Sequence, residues 1–331
     1  MLKLFRTSSP YSVIALFVVA IFLKLNYLAH PVGLLQFPDQ AIWDRVAAWL
    51  IFIFGKAAFG FTFLGIVNVI LQAIYINRVS REFNLFPYDS YLPALSFILV
   101  SSLFRDWNYL SAFSVVNWFL LIAFKNILQL YTLQEGNKSI FNIGALITLT
   151  AIFVFPNIIF LLLFIVGLAI LRPFKIKEWA MALLGIFTPI YFLVSILFLS
   201  DNLLLLKKLI PIGFNFHHFH GNPINAYIPL GLLSILLLIG FYYLNVFSSR
   251  MLMQVKKTWG VILVFFILSI IVGIFSIWDG FYAWIPAILP FSLIFTNLWF
   301  EERKSWISKV IFYTFIAVII WVQWFPLVEK I

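Results

Sequence analysis

"IFLLLFIVGLAIL", residues 159–171, decides the fold. The run carries no polar side chain and shows no two-residue alternation, so it is not a strand of a membrane barrel, whose segments alternate over about ten residues. Similar runs recur along the whole chain. Of its 331 residues 64% are hydrophobic and only 10% charged, and the mean hydropathy is +1.07, which leaves too little polar surface to wet a soluble domain of this size. In lipid every backbone N–H and C=O must find its partner within the protein, and helices achieve that. The sequence therefore predicts an all-α, polytopic transmembrane bundle, a single integral membrane domain over 1–331.

A bilayer core needs roughly 20 apolar residues per helix. That ruler marks eleven candidate spans, near 12–29, 59–77, 90–104, 107–124, 140–155, 157–171, 179–199, 223–246, 258–276, 281–299 and 307–325, with an extra apolar stretch at 46–55. Lys3 and Arg6 precede the first run, and "LNYLAH" after it makes a poor cleavage site, so an uncleaved anchor is expected. With the N-terminus inside, the cytoplasmic loops collect Lys3, Arg6, Arg78, Arg81, Lys125, Lys138, Arg172, Lys175, Lys177, Arg250, Lys256, Lys257, Arg303, Lys304 and Lys309, fifteen of the twenty-two basic residues. The positive-inside rule then puts the N-terminus in the cytoplasm and the C-terminus outside. The net charge of +10 thus reports topology rather than a nucleic-acid partner, since no basic block or soluble domain accompanies it.

On that topology the outer face holds the loops 30–46 and 200–222, all four histidines, and Asp39, Asp44, Asp106, Asp201 and Asp279. In "FPDQAIWDR" Asp39 can cap a short interfacial helix with Ile42, Trp43, Val46, Trp49 and Leu50 at helical spacing, its tryptophans at headgroup level and Gln40 and Asp44 on the opposite, outward side. Asp39 and Asp44 are then local caps and ion-pair partners, or one of them is a general base beside a lipid-facing groove. "HHFH" offers His217 and His220 to a divalent metal; the alternatives are a solvated loop, or His217, His218 and His220 as donors to phosphate. Arg45, Lys56, Arg105, Lys207 and Lys208 run against the charge bias; they bind phosphate at the outer surface or snorkel to headgroups, as Lys24 is expected to do.

There is no cysteine, which excludes disulfides, thiolate metal sites and cysteine nucleophiles. No Gly-rich phosphate loop, HExxH or Ser-His-Asp arrangement is present, and few charges fall mid-span, so the core of an ion-driven transporter is not visible. Asn117 and Asn297 are candidates for hydrogen bonds between helices.

Three pieces taken together, "FPDQAIWDR", "SYLPALSFILVSSLFRDWNYLSAFSVVNWFLLIAF" and "DGFYAWIPAILPFSLIFTNLWF", resemble the GT-C superfamily of integral-membrane glycosyltransferases. The chain as a whole, including "LRPFKIKEWAMALLGIFTPIYFLV", more closely resembles a family of Gram-negative inner-membrane proteins of this length, which implies a location but no activity. The superfamily resemblance implies a cytoplasmic N-terminus, a catalytic Asp in the first outer loop (Asp39 or Asp44 here), and a polyprenyl-phosphate sugar donor. One departure is that the two acids stand five residues apart, where the superfamily has them adjacent or nearly so.

The expectation is a transferase at the periplasmic face of the bacterial inner membrane. Asp44 or Asp39 would take the acceptor's proton, and Arg45, Arg105, Lys207, Lys208 and the histidines would bind phosphate, with a divalent metal as a possible cofactor. The alternatives are a non-enzymatic scaffold or subunit of an envelope assembly, and a lipid or small-solute transporter.

Overall fold

The computed structural model describes residues 2–7, 9–37, 40–133, 135–206, 223–249, 251–276, 278, 280–300 and 305–324. Of these, 81% are helical and none lies in a strand, so the class is all-α. In chain order the helices are α1 (Leu2–Phe5), α2 (Pro10–Leu23), α3 (Leu25–Ala29), α4 (Ala41–Phe54), α5 (Ala58–Glu82), α6 (Leu92–Ser101) and α7 (Ala112–Gln129). They continue with α8 (Asn137–Phe153), α9 (Phe160–Leu171), α10 (Ile176–Leu199), α11 (Pro223–Ser248), α12 (Met253–Ile274), α13 (Ile288–Thr296) and α14 (Ser305–Trp324).

Among the described residues six helical stretches are long and apolar enough to cross a membrane: Ala58–Glu82, Ala112–Gln129, Ile176–Leu199, Ala226–Ser248, Met253–Ile274 and Tyr282–Phe300. Pro10–Leu23, Leu92–Ser101, Asn137–Phe153, Phe155–Leu171 and Ser308–Trp324 are apolar but shorter. Each stretch marked in the sequence overlaps one of these helices. The architecture is that of a multi-pass helical membrane protein.

The extra apolar stretch belongs to α4. There the sequence reading needs correcting: Trp43 is buried rather than at a headgroup surface, its indole N–H donating to Leu35 O at 2.9 Å. Gln40, expected to face outward, is also buried and occupies the N-cap position without a side-chain cap bond.

Prolines punctuate the chain as their chemistry requires. Pro93 opens α6, and Pro156 sits in a 3₁₀ turn, Phe155–Ile159, that reverses the chain between α8 and α9. Asn117 bonds between helices, its amide donating to Gln72 Oε1 of α5 at 3.0 Å. Among the described residues Asn297 bonds only locally, its amide donating to Leu293 O and Ile294 O of its own turn.

The route from α5 to α7 creates the site. Glu82 of α5 lies beside Lys125 of α7, their charged groups 3.0 Å apart, so the two helices run in the same direction. The intervening chain must therefore return the full height of the bundle. It does so through α6, whose ten residues span only about 15 Å, roughly half a bilayer core. Irregular backbone supplies the remainder: Tyr91 N–H bonds to Phe5 O at one end, and Leu110 O accepts from Leu35 N at the other. Such backbone is tolerated at membrane depth only inside protein, and all ten residues of α6 are buried.

Candidate functional site

The end of the bundle that carries residues 30–37 also carries the segment "FRDWNYLS", 104–111. Ser102 closes α6 with its hydroxyl on Ile98 O, and residues Arg105–Asn108 form one 3₁₀ turn. Ser111 then opens α7 through a reciprocal cap with Ser114. The turn is recessed. A Cβ on Gly65 would stand 3.0 Å from Asn108 O, and Gly65 is seven residues into α5, about 11 Å below that helix's start.

This recess gathers a lysine, an arginine and an aspartate. Lys24, between α2 and α3, is completely buried and donates to Asn108 Oδ1. Asn108 is itself buried; its amide donates to Phe104 O at 2.7 Å and to the Tyr27 hydroxyl at 3.4 Å. The expectation that Lys24 snorkels is thus corrected: the turn brings an amide oxygen to it, and the side chain stays inside. Arg105 and Asp106 of the same turn are partly buried.

The Asp106 carboxylate accepts Phe281 N–H at 2.7 Å and the Tyr282 hydroxyl. Trp107 locks the same junction, its indole donating to Phe281 O at 2.7 Å. Gly280 makes the approach possible: its φ is +82°, and a Cβ there would lie 2.6 Å from Asp106 Oδ2. Burial pushes the Asp106 carboxyl above its ordinary pKa, and the Phe281 N–H, the Tyr282 hydroxyl and the Arg105 guanidinium only partly offset that.

The first loop closes over the recess. Val32 N–H and Val32 O both bond the Thr62 hydroxyl, at 3.0 and 3.1 Å. Leu35 N–H reaches Leu110 O at 3.2 Å. Phe37 packs edge-on against Tyr282 at 4.7 Å between ring centres and against Phe113 at 5.7 Å. From the exposed His30 a chain of bonds runs inward: His30 shares a hydrogen bond with Asn26, Asn26 donates to Gln323 O, and the Gln323 amide reaches Ser102 O at 3.2 Å. These contacts tie α3, α6 and α14 together at one level.

Beneath this junction lies an apolar pocket of about 160 Å³. Phe104, Trp107 and Phe281 form one wall, and Val100, Leu233 and Phe291 line it further down. The residues that hold Asp106 therefore also shape a cavity suited to hydrocarbon.

Of the residues marked in the sequence, the structure brings Arg105 into this recess. Asp44 and Arg45 lie on the exposed side of α4, and neither forms an ion pair among the described residues. Asp39, Lys207, Lys208, His217, His218 and His220 lie outside the described residues, and with them the whole expected metal site. Among the described residues no three His, Asp or Glu side chains gather as a metal would need.

The sequence reading missed Lys24, Tyr27, Asn108, Tyr282 and Gln40 as site residues and gave Asp106 no role. Gln40 adjoins Asp39 and is 2% exposed; neither atom of its amide has a partner among the described residues. An amide so placed is a group that a bound molecule would satisfy. The available signal was the density of hydrogen-bonding side chains in "RDWNY", 105–109. Comparison of the chain with protein-family models, curated proteins and solved structures gave no match.

Proposed function

We propose that this chain is a GT-C-like glycosyltransferase of the bacterial inner membrane, with eleven crossings and a cytoplasmic N-terminus, acting at the periplasmic face on a polyprenyl-phosphate-linked sugar. One observation carries the reading. Arg105 and Asp106 sit in a recess under the first loop, and the aromatic residues that flank and hold them, Phe104, Trp107 and Phe281, line an apolar pocket. Ionisable groups at such depth are expensive and mark function by default.

In this reading the pocket takes the isoprenoid chain next to the phosphate. Arg105, with Lys207, Lys208 and the histidines of 217–220, offsets the charge that grows on the phosphate as its bond to the sugar breaks. Asp39 or Asp44 takes the acceptor hydroxyl's proton while that oxygen attacks the anomeric carbon. The products are the glycosylated acceptor and polyprenyl phosphate, with inversion at the sugar carbon for a single displacement. Gln40, which offers both a donor and an acceptor, suits the sugar's hydroxyls.

A second reading is a non-enzymatic component of an envelope assembly. It is favoured by the way Lys24, Asn108, Asp106 and Phe281 satisfy one another, as a purely structural cluster would. Cells lacking the gene separate the two. Restored with Asp39→Asn or Asp44→Asn forms that insert normally, they accumulate the sugar donor if the transferase reading holds and match wild type if the structural one does.

A further inference from the structure

A second cavity lies away from this recess, between α8 and α10. The two helices meet at glycines. A Cβ on Gly185 would fall 2.4 Å from Phe141 O, and one on Gly144 would fall 3.1 Å from the Gly185 carbonyl carbon. Small residues allow backbones this close, and packing there holds the pair. One turn beyond the contact stands Pro189, inside α10. It has no N–H to return to the Gly185 carbonyl, so this is the turn at which the helix most readily bends.

Past that turn the helices leave a groove of about 200 Å³ between Thr148, Ala151 and Ile152 on one side and Ile190, Leu193 and Val194 on the other. For scale, a dry cavity of about 150 Å³ holds a benzene ring, so the groove takes a short stretch of a single hydrocarbon chain. The lining is apolar with one exception. Thr148 is 4% exposed, and its hydroxyl has no hydrogen-bond partner among the described residues, not even the carbonyl four residues back that a helical threonine ordinarily uses. A buried hydroxyl of this kind needs an acceptor.

We propose that the α8–α10 groove is a specific site for one acyl chain of a membrane lipid, with the chain's ester or amide carbonyl accepting from Thr148 Oγ1. The chemistry separates the candidates. An isoprenoid chain has no oxygen short of its phosphate, and the interior of an acyl chain has none either. Thr148 lies five residues before the end of α8, about 8 Å below it, a depth at which an acyl carbonyl can meet it while the headgroup stays at the surface. The site is independent of the glycosyl-transfer reading and stands or falls without it.

The test uses the full chain in phosphatidylethanolamine bilayers containing trace phosphatidylethanolamine with a diazirine on its acyl chain, or in parallel a diazirine-bearing isoprenyl phosphate. Photolysis and peptide mass spectrometry locate the label. The acyl probe should mark residues 148–152 and 190–194. Thr148→Val should cut that labelling about fivefold, the worth of one neutral hydrogen bond, and Thr148→Ser should preserve it. Label on Phe187 and Tyr191, on the exposed side of α10, should be unchanged and serves as the folding control. Ala151→Phe, which fills the groove, should also abolish the label. Equal labelling of wild type and Thr148→Val, persistence in Ala151→Phe, or stronger labelling by the isoprenyl probe would each overturn the proposal.

Discussion

The carboxylate of Asp106 accepts the backbone N–H of Phe281 at 2.7 Å, a bond between residues 175 apart in sequence. It joins the turn after α6 to the turn before α13, and the loop of residues 31–37 closes over both. Removing the acceptor strands a buried N–H, which costs about 1–3 kcal/mol. Asp106→Ala should therefore lower the thermal midpoint of the purified protein clearly, and Asp106→Asn, which keeps an amide oxygen, should lower it less. Gly280→Ala should behave like Asp106→Ala, because a Cβ would meet that same carboxylate and φ is +82°. Equal midpoints for all three variants and wild type would show that the junction contributes nothing.

The same carboxyl predicts a pH dependence. Burial raises its folded-state pKa above the unfolded one, so the folded protein holds the proton more tightly and acid favours folding at this group. The contribution is complete below the ordinary value, 3.8, and is lost as pH rises through the raised folded value. Across that window wild type should lose stability relative to Asp106→Asn as pH increases. Parallel curves for the two proteins would contradict the assignment.

Lys24 and Asn108 form the other buried contact of the recess, 84 residues apart in sequence. Lys24→Met leaves the amide oxygen without its donor, and Asn108→Leu leaves the amine without its acceptor. The double variant should be destabilised by less than the sum of the two single variants, the coupling being about 1 kcal/mol or more. Strict additivity in the double-mutant cycle would mean that the pair does not interact.

The α8–α10 crossing gives a prediction with an internal control. Gly185→Ala puts a methyl group 2.4 Å from a backbone oxygen and should cost about 1–3 kcal/mol. Gly260→Ala, in α12 with nothing within 4 Å of the new methyl, should be neutral or stabilising by about 0.5–1 kcal/mol. If the two substitutions had the same effect, the close approach would not be what holds α10.

The helices were legible in the sequence because their signal is local: a long apolar run has no other way to satisfy its backbone in lipid. The recess was not, for the opposite reason. Lys24 reads as a snorkelling residue near the end of a span until Asn108 arrives from the far side of α5 and α6. Asp106 reads as one outer acid among five until Gly280 lets Phe281 reach it. Trp43 has the spacing of a headgroup-level face and Gln40 that of the opposite edge, yet both are buried, Trp43 through its bond to Leu35 of the first loop. For Lys24 and Asp106 the partner is distant in sequence, and periodicity carries no information about it. Arg105 drew notice in the sequence as a basic residue set against the expected charge bias, and the structure places it in the turn that forms the recess.

The central claim is that the recess serves glycosyl transfer from a lipid phosphate. Its most direct test is mass spectrometry of polyprenyl-phosphate sugars and envelope glycans in cells lacking the gene, restored with wild type, Asp39→Asn, Asp44→Asn or Arg105→Gln forms of equal membrane abundance. The account predicts accumulated donor and a missing sugar in the deletion, cured by wild type and left uncured by Arg105→Gln and by at least one Asn form. An unchanged lipid and glycan profile in the deletion, with every variant behaving as wild type, would contradict it.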